Sequence, residues 1–73
     1  MSFVEVFKTN VQTTVIASHI TTALNHLFPD YQVNFDLADE ENILRIDGRD
    51  KEVDVRGVIR MMHENGYQCV LLL

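Results

Sequence analysis

The sequence is short of cysteine, of basic residues and of long apolar runs. Its 73 residues include one cysteine, so no internal disulfide can staple the fold. Six lysines and arginines stand against eleven aspartates and glutamates, a net charge of −5. So acidic a chain lacks the clustered cations that displace counterions from a phosphate backbone, and nucleic acid is not an expected partner. No apolar stretch approaches the roughly 20 residues that a membrane span requires, so no insertion into a bilayer is expected. The first eight residues show no basic stretch leading into an apolar one, the pattern of a secretion signal. With the lone thiol, this sets the expectation of a reducing, cytoplasmic setting.

What is present is enough to fold. Apolar residues make up 47 % of the chain, which separates it from disordered sequences. At this length a chain buries only about 60 % of its unfolded surface, so one domain over residues 1–73 with a narrow stability margin is expected. No linker, repeat or low-complexity tract divides it. Charge gathers between Asp36 and Asp54, where eight carboxylates accompany three bases, Arg45, Arg49 and Lys51. A solvated hairpin and turn account for that cluster, and it could also steer a basic partner.

The apolar pattern predicts six elements. Residues 3–8 (FVEVFK) alternate and are rich in valine and phenylalanine, which reads as a strand. Thr9 and Gln12 have capping-box spacing ahead of a helix over residues 11–28. Its apolar stripe is Ile16, Ile20, Ala23, Leu24 and Leu27, and Pro29 ends it. Residues 31–37 (YQVNFDL) form a half-buried strand with Tyr31, Val33, Phe35 and Leu37 on one side. The polar residues 38–42 are too few for a crossover, so the strand returns as a hairpin through residues 43–47. A charged turn leads to a second helix over residues 53–65, stopped by Asn65-Gly66. An apolar strand over residues 67–73 closes the chain.

The order β-α-β-β-α-β predicts an α+β, ferredoxin-like fold, a four-stranded antiparallel sheet with two helices on one face. The expected core is Val4, Val6, Val33, Phe35, Leu44 and Ile46 from the sheet, with Ile16, Ile20, Leu24, Val55, Ile59 and Met62 from the helices. Phe3, Glu5 and Phe7 then fall on the open side of the sheet, beside Ile43, Arg45 and Asp47 of the third strand. Phe3, Phe7, Ile43 and Arg45 are the candidate interaction surface, with a Glu5–Arg45 pair across the strands. The apolar last strand, at a sheet edge, is a second place for another chain to pair.

The element order, the element lengths and the close of the second helix (VIRMMHENGYQCVLL) resemble a heavy-metal-associated domain. That resemblance implies a Met-x-Cys-x-x-Cys motif between the first strand and first helix, whose two thiolates capture a soft ion. With the helix stripes aligned, the methionine position is Val11 and the cysteine positions are Thr13 and Ile16. Threonine is a weak hard donor and isoleucine none, so the expected site is degenerate and neither a metal ion nor any cofactor is expected. His63 and Cys69 are the weak alternatives. His19 and His26, seven apart on one helix, lie about 10 Å from each other along its axis, too far to share an ion comfortably.

Catalytic patterns are equally sparse. An acylphosphatase, which shares the fold, needs an arginine on a phosphate-cradling first loop, and Lys8-Thr9-Asn10-Val11 has neither arginine nor glycine. Asp39-Glu40-Glu41 lacks the spacing of a calcium loop. Cys69 lies in an apolar run where burial would make its thiol inert. The expectation is a non-enzymatic, heavy-metal-associated-like domain acting by contact with a protein partner or as a homodimer. The alternatives are a copper- or zinc-binding protein with His/Cys ligands and a small-ligand regulatory domain.

Overall fold

A computed structural model describes residues 3–72 of the chain. It is α+β, with two helices and one four-stranded antiparallel sheet, an architecture compatible with the ferredoxin-like expectation. The elements are β1 (Val4–Thr9), α1 (Thr14–Leu27), β2 (Gln32–Asp36), β3 (Ile43–Asp47), α2 (Val55–Glu64) and β4 (Cys69–Leu71). Across the sheet the order is β2-β3-β1-β4, so β1 and β3 are central and β2 and β4 are edges. Leu73, the expected end of the last strand, lies outside the described residues.

Register decides which side chains go inside. Directly opposed residues share a face, and Phe7 is opposed to both Leu44 on β3 and Leu71 on β4. Phe7, Leu44 and Ile46 are fully buried, in one cluster with Ala17, Ile20 and Leu24 of α1 and Val58, Met61 and Met62 of α2. The expected parity of β1 is therefore reversed. Phe7 lies in the core, while Val4 and Val6 are half-buried on the other face. The physical reason is the partners. Each parity of β1 carries one charge, Glu5 or Lys8, so charge does not discriminate, and Phe7 is the side chain that lies between two apolar neighbours, Leu44 and Leu71, in the row that meets the helices. Glu5 is left half-buried on the helix-facing side, opposed to Ile46, whereas Arg45 is opposed to Val6. The two stand on opposite faces and form no pair.

The helix starts also differ from expectation. Thr9 is the last residue of β1 and does not cap α1. Its N–H donates to Glu41 O at 3.2 Å, its Oγ1 donates to Asn42 O at 2.6 Å and the same oxygen accepts from Val11 N–H at 3.1 Å. The cap is Thr13, whose Oγ1 accepts from Ile16 N–H at 3.2 Å. Asp54 does the same for α2, accepting from Gly57 N–H at 3.0 Å. The end of α2 is a Schellman motif. Tyr67 N–H donates to Met62 O at 3.0 Å and Gly66 N–H to His63 O at 3.0 Å, with Gly66 at φ +86°.

Tyr31 ties β2 to the start of α2. Its ring stacks on Phe28 at 4.7 Å. Its hydroxyl donates to Glu52 O at 3.2 Å and accepts from Asp54 N–H at 2.8 Å. Beside it the Asp30–Lys51 ion pair, 2.7 Å long, leaves both side chains mostly in solvent, so it contributes little to stability.

Two outcomes follow for urea unfolding followed by circular dichroism. Phe7→Ala lowers stability by about 3–5 kcal/mol, which leaves so small a domain largely unfolded. Val6→Ala lowers it by about 1 kcal/mol or less, and similar losses at the two positions would contradict the face assignment. Tyr31→Phe costs about 1–2 kcal/mol, because it strands the Asp54 N–H beside an apolar edge.

Candidate functional site

The loop joining β1 to α1 is where the resemblance places a metal. Val11 there is fully buried. Thr13 is exposed, but its hydroxyl is committed to the Ile16 N–H as the helix cap. Ile16 is half-buried against the core. The loop is also fastened at both ends, by Thr9 to the β2–β3 hairpin and by Asn10 Oδ1, which accepts from Gln68 N–H at 2.9 Å. These positions thus serve packing and capping.

The weak alternative ligands differ in their surroundings. His63 lies on the outer side of α2, lining a shallow depression with Arg56, Ile59, Arg60 and Glu64. Cys69 is 3 % exposed and belongs to the core cluster. Burial pushes its thiol up to about 12 from an ordinary value near 9, so it holds its proton at neutral pH. His19 and His26 both line an open groove of about 460 Å³ between the helices, with Ala23, Leu27, Met61 and Glu64. Among the described residues, no three His, Cys, Asp or Glu side chains gather closely enough to hold an ion.

The face of the sheet turned away from the helices has a definite layout. One row across it reads Asp36, Ile43, Lys8, Val70, each opposed to the next. The next row reads Asn34, Arg45, Val6, and then Leu72, whose N–H donates to Val6 O at 2.9 Å. A third row holds Gln32, Asp47 and Val4. Apolar side chains thus gather on the β1–β4 side and polar ones along β2. Val70 is 58 % exposed. Lys8 and Arg45 stand on the two central strands, and among the described residues neither forms an ion pair.

Of the expected interaction surface, Ile43 and Arg45 lie on this face. Phe7 is in the core, and Phe3, 43 % exposed, precedes β1 with its carbonyl accepting from Gly48 N–H at 2.6 Å. Val6 and Lys8 fall outside the expected surface, and Val70 and Leu72 belong to the last strand, expected to pair at its edge and not to contribute to this face. No local signal finds them, because the register that opposes Thr9 to Cys69 and Phe7 to Leu71 on the inner row is what sets Lys8 and Val70 outward.

The state of Cys69 is directly measurable. Iodoacetamide at mildly alkaline pH leaves the folded protein unlabelled and labels it at once in denaturing urea; fast labelling of the folded form would place the thiol at the surface. Because the folded thiol keeps its proton to about 12 while the unfolded one loses it near 9, stability falls as pH rises through that interval. Cys69→Ala removes this component of the alkaline loss.

Comparison of the chain with protein-family models, with curated proteins and with solved structures finds no match.

Proposed function

We propose that this chain is a non-catalytic domain of heavy-metal-associated type, with a degenerate metal site, that acts by protein contact through the open face of its sheet. In this reading the fold is the ferredoxin-like sandwich, with both helices on one side and the opposite side free to meet another protein. The observation that carries it is the composition of that face. Val6, Ile43, Val70 and Leu72 lie side by side with Lys8 and Arg45 among them, and among the described residues no further element lies over them. Apolar residues interspersed and rimmed with charge are the usual make-up of a protein contact surface.

Two further observations support the reading. The positions that would ligate a soft ion are occupied by a helix cap, Thr13, and a packing residue, Ile16. The one thiol is buried and protonated, which suits a small apolar residue better than a nucleophile or ligand.

A photo-crosslinking amino acid tests the proposal. At position 70 it yields discrete adducts with a protein, either another copy or a different chain, in extracts of the native cell. At position 15, where Val15 is 65 % exposed on α1, it does not. Equal adducts from both positions, or none from position 70, would refute contact through the sheet.

A further inference from the structure

We infer that the occupant of the open face is a second copy of this chain, seated face to face about a two-fold axis that runs across the strands. The inference rests on the reading of that face as a protein-contact surface and names its partner. The charge on the face points to it. Lys8 and Arg45 are balanced there by Asp36 and Asp47, so the face is neutral although the chain carries −5. A strongly acidic partner meets the two aspartates and a strongly basic one meets the two cations. A surface carrying both signs in equal number complements itself, which is what an isologous contact requires.

The rows give the arrangement. An axis lying between the Lys8 row and the Val6 row exchanges those two rows and sets each strand over its own counterpart. Val70 then meets Leu72 of the second copy, and Leu72 meets its Val70, so the apolar margins of β4 cover each other. Arg45 of one copy comes over Ile43 of the other, one strand from Asp36, which stands opposed to Ile43. Two symmetric Arg45–Asp36 pairs result. The stem of Lys8 covers Val6 of the second copy while its ammonium leaves over the end of the row, as long charged side chains do at an apolar margin. Any axis along the strands instead lays the polar β2 over the apolar β4, which mismatches both.

Size sets the strength. Four strands about 4.8 Å apart and on average about five residues long present roughly 320 Å² per copy in projection, about 640 Å² for the two, which is below the size of stable specific contacts. The dimer is therefore weak and concentration-dependent, with helices on its two outer sides.

Sedimentation equilibrium on the full chain tests this. The mass rises from 8.4 kDa in dilute solution toward twice that value as the concentration approaches the millimolar range. Arg45→Glu and Asp36→Arg each weaken association at least about tenfold. The double exchange Asp36→Arg/Arg45→Glu restores it to within about threefold. Asp36→Arg also gives up the 3.2 Å bond that Asp36 Oδ1 accepts from Ala38 N–H, but the double variant shares that loss, so rescue isolates the pair. Arg56→Glu, on the outer side of α2, changes nothing. A strict monomer at millimolar concentration, or a double variant no better than the single ones, overturns the inference. If adducts from position 70 then still form with a different protein, the contact reading stands and only the identity of the partner is wrong. If no adducts form, both fall.

Discussion

The burial of Phe7 is the constraint from which the rest of the molecule follows. It sits on a central strand, opposed to Leu44 on one side and Leu71 on the other, and is fully enclosed. Side chains alternate strictly along a strand, so one buried position fixes every other. Phe7 inside places Thr9 and Cys69 inside with it and sends Val6, Lys8, Arg45 and Val70 out. The open face of the sheet is thus the complement of its core, specified by the same choice of parity.

Much of the architecture was legible because its local signals agree with one another. β3 begins and ends as its apolar residues require, and the alternation from Tyr31 to Leu37 matches the buried and exposed sides of β2. The stop at Asn65-Gly66 was visible because glycine accepts the left-handed conformation without strain. Where two signals competed, reading from sequence was insufficient. Thr9 and Thr13 both precede the first helix, and each could cap it. Only the pairing of β1 with its neighbours, a contact between residues more than thirty positions apart, draws Thr9 into the sheet and leaves the cap to Thr13. The parity of β1 was ambiguous for a related reason, since each side offers apolar residues and one charge. Such ties are resolved by tertiary packing, which no local window contains.

The same packing gives the candidate surface its rigidity. Both central strands are paired on each side, and the loop after β1 is held by side-chain bonds from Thr9 and Asn10 to distant backbone. Tyr31 fastens the start of α2 to the strand beside it through two hydrogen bonds and a ring stack. The residues of the open face are therefore displayed on a prearranged scaffold, and little ordering entropy opposes contact with a partner.

The Thr13 cap has an evolutionary consequence. Installing a cysteine at position 13 removes the oxygen that satisfies the first turn of α1, and installing one at position 16 withdraws apolar volume that packs against the core. The first change alone is worth about 1 kcal/mol in a fold whose reserve is small. A thiolate pair could not be gained here by two neutral steps, because each loosens the helix before any ion is held. The capped loop therefore holds positions 13 and 16 to capping and packing by a stability cost at each.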